Sequence, residues 1–120
     1  MKLSTRMIKD KDIVVIDVDG KVVLGDGDVE IKQAVDTLLQ EGKTKIILNL
    51  AKVPYLDSAG LGEIIRCFTA LRRCGGSLKL LAPNPRIIDL LNITKLLNVF
   101  DSYDNEATAI KSFSQWHRPN

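Results

Sequence analysis

Short apolar runs alternate with segments of helical periodicity along most of this 120-residue chain, and this alternation constrains the fold more than any other feature. Residues 45–50 form an apolar, β-branched run typical of a buried strand, and Pro54 prevents that strand from continuing in a ladder. Residues 61–71 then carry apolar side chains at the spacing that lines one face of a helix. The alternation predicts an α/β fold, a mixed β-sheet of about four to six strands covered by about four α-helices.

Turn and capping signals predict the other elements. Asp19-Gly20 lies between the apolar runs 13–18 and 21–24, which predicts a two-residue hairpin, and a weaker strand is expected before it around residues 3–8. Acidic residues open a helix that Gly42 ends, and Asn84-Pro85 supplies an N-cap followed by proline at the first helical position. The remaining predictions are a strand over 78–81, a short helix over 86–92, a last strand over 97–100, and a terminal helix containing Ala107, Ile110 and Phe113.

The length and the cysteine content favour one domain without crosslinks. A chain of 120 residues can bury enough apolar surface to fold without disulfides or metal, so we expect a single domain over 1–120 with a flexible tail over 114–120. Cys67 and Cys74 are about 10 Å apart along one predicted helix, too far for a disulfide, which favours reduced thiols. Two cysteines and one histidine, His117, do not make a tetrahedral zinc site, and we expect no metal or cofactor.

Charge and hydropathy argue against several classes of protein. The net charge is +2 with acids and bases interspersed, which gives no basic stripe for nucleic acid. The chain has no apolar run of about 18 residues, so we expect no membrane span. The first residues lack the apolar core of a secretory signal, which predicts a cytoplasmic location.

Residues 53–63 place one hydroxyl, that of Ser58, where a strand gives way to a helix. Asp57 and Ser58 both carry oxygens that can accept from the free N–H groups of a first helical turn, so the sequence leaves open which is the N-cap. Gly60 and Gly62 lie in or beside that turn, where each costs about 1 kcal/mol relative to alanine. A helix built only for stability would avoid this pair, so we expect bare backbone that another molecule or an anion approaches closely.

The chain resembles a STAS domain of the kind found in bacterial anti-sigma-factor antagonists, over nearly its whole length. The resemblance is carried by Asp-Ser-Ala-Gly-Leu-Gly at 57–62 after Val-Pro-Tyr-Leu at 53–56, then by Gly-Gly-Ser-Leu-Lys-Leu at 75–80 and by Val99-Phe100. In that family the matching serine is phosphorylated by a partner that is both anti-sigma factor and kinase. The resemblance therefore implies that Ser58 is the phosphoacceptor, and that the partners are an anti-sigma factor with serine/threonine kinase activity and a PP2C-type phosphatase.

The same resemblance implies a partner-binding surface around the unmodified serine. Many relatives carry an acidic residue at the end of the strand before the first helix. The matching region here is 22–28, which leaves Asp26 and Asp28 as the candidates for that position. The expected partner-binding residues are Asp57, Ser58, Ala59, Gly60, Gly62, Asp26 and Asp28.

Two other functions compete with this interpretation. A serine hydrolase needs a base, but the one histidine lies in the tail, and the sequence around Ser58 lacks the Gly-x-Ser-x-Gly pattern, so we expect no enzyme. The second rival is a non-switching STAS scaffold subunit of a larger signalling assembly, in which Ser58 is modified rarely or only caps the helix.

Overall fold

A computed structural model describes residues 1–114 of the chain and contains one five-stranded sheet in the order β1-β2-β3-β4-β5. Strand β1 is antiparallel to β2, whereas the remaining neighbours pair in parallel. Parallel neighbours need crossover connections, and helices between the strands supply them. The elements in chain order are β1 (Lys2–Ile8), β2 (Ile13–Asp19), α1 (Asp28–Gln40), β3 (Lys45–Lys52), α2 (Ser58–Arg73), β4 (Ser77–Leu81), α3 (Pro85–Ile93), β5 (Ser102–Tyr103) and α4 (Glu106–Ser114).

This architecture confirms the predicted α/β fold with a mixed sheet and four helices in the described part of the chain. The weaker strand predicted near the amino terminus is β1, and the helices predicted from periodicity and caps are α1 to α4. The predicted tail over 114–120 begins at the last residue of α4, and residues 115–120 lie outside the described residues. Within residues 1–114, no helix combines the length and the apolar character needed to cross a bilayer.

The hairpin predicted at Asp19-Gly20 is wrong, because β2 pairs with β1 and not with the segment that follows it. Gly20 has a φ of +115° and donates its N–H to the carbonyl oxygen of Lys52 at 2.9 Å, which turns the chain away from the sheet. Val22 is fully buried and forms only an isolated bridge with Leu56, so this residue contributes to the core without belonging to a strand.

The sheet separates two apolar clusters, because alternate side chains of a strand point to opposite faces. Helices α1, α2 and α3 cover one face and bury the larger cluster, while α4 covers part of the other face. The smaller cluster consists of Ile13, Val15, Ile47, Leu81 and Ala109. The larger cluster takes its helical residues from Ile31, Val35, Leu38, Leu61, Ile64, Cys67, Leu71, Ile87 and Leu91.

The last predicted strand is misplaced, because residues 97–100 form turns and β5 begins at Ser102. Phe100 is nevertheless buried, and its ring meets that of Phe68 edge-on with centroids 5.0 Å apart. A short apolar run that places one side chain in the core therefore has the same sequence pattern as a short buried strand.

Both cysteines of the described region are free. Cys67 lies inside the core, where burial raises the pKa of its thiol to about 12, and Cys74 is the exposed C-cap of α2. The expectation of two unlinked thiols is confirmed.

Candidate functional site

Helix α2 begins at Ser58, and its N-cap is Asp57. One carboxylate oxygen of Asp57, Oδ1, accepts a hydrogen bond from the N–H of Gly60 at 2.8 Å, which satisfies one of the free donors of the first turn. Ser58 is the first helical residue and is exposed, and within residues 1–114 its hydroxyl takes part in no hydrogen bond. The interpretation that Ser58 only caps the helix is therefore wrong.

The same carboxylate also holds the loop between β2 and α1, residues 20–27. The second oxygen of Asp57, Oδ2, accepts from the N–H of Leu24 at 3.0 Å. Two backbone hydrogen bonds reinforce this contact, from Asp57 N–H to the oxygen of Val22 and from Val22 N–H to the oxygen of Tyr55, each 3.2 Å long. The β2–α1 loop and the start of α2 therefore form one bonded unit around Asp57.

Two N–H donors stabilise the ionised form of Asp57. Hydrogen bonds from the N–H groups of Gly60 and Leu24 hold the pKa of Asp57 below its ordinary range. Like any aspartate with such a pKa, the side chain is ionised at neutral pH. It places a negative charge beside the Ser58 hydroxyl, at the end of α2 where the helix dipole is positive.

The two glycines of the first turn have different reasons to lack a side chain. A Cβ built on Gly60 would lie 2.2 Å from the carbonyl oxygen of Val22, so α2 can approach the β2–α1 loop only with glycine there. A Cβ on Gly62 would meet nothing within 4 Å, and that residue is exposed. The backbone at Gly62 is therefore exposed, whereas the contact of Gly60 is internal. The place of both glycines in the partner-binding set stays a prediction.

The two acidic candidates lie on the stretch that links the loop to α1. Asp26 Oδ1 is 3.3 Å from the amino group of Met1. Asp28 Oδ1 accepts from the N–H groups of Gly25 at 2.9 Å and of Val29 at 2.8 Å. Both carboxylates therefore help to order the β2–α1 loop, which is bonded to Asp57 through the N–H of Leu24. Which of them stands in for the family's acidic residue stays a prediction.

Asn84 fixes the chain that leads from β3 to Ser58. Its amide group donates to the carbonyl oxygens of Val53 at 3.1 Å and of Pro54 at 3.0 Å, while its oxygen caps α3 by accepting from Ile87 N–H at 2.9 Å. Tyr55, the next residue, is half-buried under the guanidinium of Arg86. The approach to Ser58 is therefore attached both to α3 and to the β2–α1 loop.

We expect Asn84→Asp to lower the free energy of unfolding by about 1–2 kcal/mol, since aspartate can still cap α3 but cannot donate to the two carbonyls. Urea unfolding followed by circular dichroism measures the change. Asn98→Asp, the same substitution at an exposed turn position, is the control and should change the stability by less than about 0.5 kcal/mol. Equal losses in both variants would contradict the assigned contacts.

Leu24 lies next to the start of α2, although the sequence did not indicate it as a residue of the candidate site. Its side chain is 76 % exposed, although it was assigned to an apolar strand. The bond that positions it joins residues 33 apart in the chain, so no local pattern could reveal it.

The family follows from comparison of the whole sequence. Residues 4–109 match the model of the STAS domain, which is most of the chain. This chain belongs to the STAS domain family. The resemblance inferred from the residues around Ser58 is thereby confirmed.

The relatives of this STAS domain include anti-sigma factor antagonists. The anti-sigma-B factor antagonist of Staphylococcus epidermidis is 33% identical over 82 residues, which cover 68% of this chain and 74% of the relative. The anti-sigma F factor antagonist of Paenibacillus polymyxa is 25% identical over 111 residues, covering 92% of this chain and 94% of the relative. The second of these alignments takes in nearly the full length of both proteins.

Solved structures show the same fold. A crystal structure from Thermotoga maritima has a TM-score of 0.84 at 25% identity and covers 92% of both chains. The Bacillus cell fate determinant SpoIIAA in its phosphorylated form has a TM-score of 0.73 at 23% identity, covering 93% of this chain and 99% of that one. The five-stranded sheet with its helices is thus the arrangement of known STAS structures.

Proposed function

We propose that this STAS domain is an anti-sigma factor antagonist that works by partner switching. Unmodified, the surface around Ser58 binds an anti-sigma factor with serine kinase activity, which then releases its sigma factor. Phosphorylation of Ser58 ends that binding, and a PP2C-type phosphatase restores it. The observation that carries the proposal is the exposed hydroxyl of Ser58 at the first position of α2, which takes part in no hydrogen bond with residues 1–114. The names of the relatives support the class of partner.

The charge of a phosphate gives the switch its sign. A phosphoserine adds about −1.5 to −2 charges, and at the start of a helix this charge meets the positive end of the dipole. Because Asp57 caps α2, the modification removes no bond that the fold uses. The effect falls on the interface, where the new charge and bulk beside the Asp57 carboxylate disfavour a close-fitting partner. A penalty of about 2.8 kcal/mol weakens binding a hundredfold.

The surface suits recognition better than catalysis. The single histidine of the chain is His117, and the carboxylate that flanks Ser58, that of Asp57, already accepts hydrogen bonds from the N–H groups of Gly60 and Leu24. We therefore propose a regulator without enzymatic activity of its own, and the cytoplasm, where sigma factors act, as its place of work.

Calorimetry with each anti-sigma factor of the host, purified individually, tests the proposal. Ser58→Ala should bind its partner as the wild type does, whereas Ser58→Asp and the phosphorylated protein should bind about a hundredfold more weakly. Thr69→Asp is a matched control, since it places the same charge at an exposed position 11 residues along α2, about 16 Å away. Equal affinity of the alanine and aspartate variants at position 58 would remove the charge switch.

A second measurement separates the switch from a non-switching STAS scaffold. Protein purified from its native host should contain a form heavier by the mass of one phosphate, and phosphatase treatment should remove it. A scaffold would show the unmodified mass alone under all growth conditions.

A further inference from the structure

Leu24 is held in a fixed position without being buried. Val23 and Asp26 exchange two backbone hydrogen bonds of 2.8 and 2.9 Å around it, and the N–H of Gly25 is bonded to Asp28. The side chain of Leu24 is nevertheless 76 % exposed. An isolated exposed leucine needs no explanation, but here the backbone on both sides of the leucine is held by hydrogen bonds.

The bond between Leu24 and Asp57 links this side chain to the serine. Asp57 accepts from Leu24 through one oxygen and from Gly60 through the other. The carboxylate that orders the first turn of α2 therefore also sets the position of Leu24. Ser58 follows Asp57 directly in the chain, so the exposed leucine and the exposed hydroxyl share one support.

We propose that Leu24 is the apolar anchor of the surface that binds the anti-sigma partner, and that Asp57 is the residue that positions it. This inference rests on the proposed function and adds the β2–α1 loop to the site. An anchor whose backbone is already held by hydrogen bonds loses little backbone freedom on binding, and a few side chains packed in desolvated pockets contribute most of the affinity of many interfaces.

The chemistry of the loop specifies the complementary surface. Carboxylates of Asp26, Asp28 and Asp57 accompany Leu24 on the loop, at the start of α1 and at the cap of α2. A partner that buries Leu24 must face these charges at the rim of the contact. The surface on the anti-sigma factor should therefore be an apolar pocket bordered by basic side chains.

The anchor is tested by calorimetry of Leu24→Ala with the purified anti-sigma factor. We expect about thirtyfold weaker binding, since truncation removes most of the apolar surface that the pocket covers. Ile93→Ala is the matched control, because Ile93 is 78 % exposed at the far end of α3. The affinity of this variant for the anti-sigma factor should stay within about twofold of the wild type. Both variants should keep the wild-type midpoint of urea unfolding. Wild-type affinity of Leu24→Ala would overturn the anchor.

The positioning role of Asp57 needs a variant that keeps the cap. In Asp57→Asn the amide oxygen can still accept from Gly60, but the NH2 group cannot accept from Leu24. Hydrogen exchange of the Leu24 amide should then become about tenfold faster, with little change in the core of α2. Binding should weaken, and adding Leu24→Ala to this variant should cost less than it does in the wild type. If the binding costs of Asp57→Asn and Leu24→Ala simply add in the double variant, or if exchange of the Leu24 amide is unchanged in Asp57→Asn, the positioning role is refuted.

Failure of the anchor and failure of the proposed function give different results. If the Ser58 variants switch as expected while Leu24→Ala binds normally, the anchor alone is refuted. If the wild type binds none of the purified anti-sigma factors, the proposed function is refuted, and the anchor with it. The exchange measurement uses the isolated protein, so it tests the Asp57–Leu24 bond in either case.

Discussion

Replacing Gly60 by alanine is expected to lower the free energy of unfolding by about 3 kcal/mol, at the upper end of the usual cost of overpacking. The new Cβ would lie 2.2 Å from the carbonyl oxygen of Val22 and 3.0 Å from its carbonyl carbon. Both are backbone atoms, so no side chain can rotate away to make room. Either α2 or the β2–α1 loop must move. Such a movement strains the bond between Asp57 and Leu24, so weaker partner binding should accompany the loss of stability.

Gly62→Ala is the control, because it is the same change two residues further along the helix. A methyl group there meets no atom within 4 Å, and alanine is the better helix former by up to about 1 kcal/mol. We therefore expect this variant to be slightly more stable than the wild type. Urea unfolding of both variants, followed by circular dichroism, measures the difference. A Gly60→Ala protein as stable as Gly62→Ala would show that α2 does not pack on Val22 in this way.

Ile64→Ala is expected to cost about 3–4 kcal/mol of unfolding free energy, because it opens a cavity in the core beneath α2. Ile64 is 1% exposed and belongs to the larger apolar cluster. The same face of α2 holds Leu61 and Leu71 against the sheet, which leaves little room for neighbours to collapse into the space. The midpoint of urea unfolding should fall without a change in the slope of the transition.

Ile93→Ala removes the same atoms from an exposed position and should change the stability by less than about 0.5 kcal/mol. The comparison isolates burial, since the residue type and the helical setting are alike. A loss of less than about 1 kcal/mol in Ile64→Ala would contradict the close packing of α2 on the sheet.

The regular elements could be predicted because their signals are local. The spacing of Ile31, Val35 and Leu38 marks the buried face of α1, and Asn84 followed by proline marks the start of α3. In each case the residues that form the element also carry its pattern. The same holds for the strand that ends before Pro54, which is β3.

The wrong predictions concern segments whose fate depends on distant partners. Gly20 has the turn chemistry of a hairpin, but its N–H donates to the carbonyl oxygen of Lys52 on β3. Strand β2 already lies between β1 and β3, so neither of its edges is free to pair with the segment after Gly20. Phe100 belongs to an apolar run that predicts a strand, but its apolar side chain serves instead to pack against Phe68 on α2. Tertiary contacts override local propensity at such positions.

In the candidate site too, the local features could be predicted and the contacts between distant residues could not. The sequence indicated Ser58 from a hydroxyl at a strand-to-helix junction, which is a local arrangement. It left open the choice of cap, and it offered no reason to connect Leu24 with Asp57. Both answers require knowing that the β2–α1 loop lies against the start of α2.

The separation of roles between two adjacent residues has a practical consequence for a proposed signalling cycle. Asp57 supplies the side-chain cap of α2, so the neighbouring Ser58 oxygen is not needed as the cap. In the proposed cycle, phosphate added to Ser58 and removed again would therefore leave the cap of α2 unchanged at every round. One copy of the protein could then serve through many rounds of signalling, without resynthesis or refolding between them.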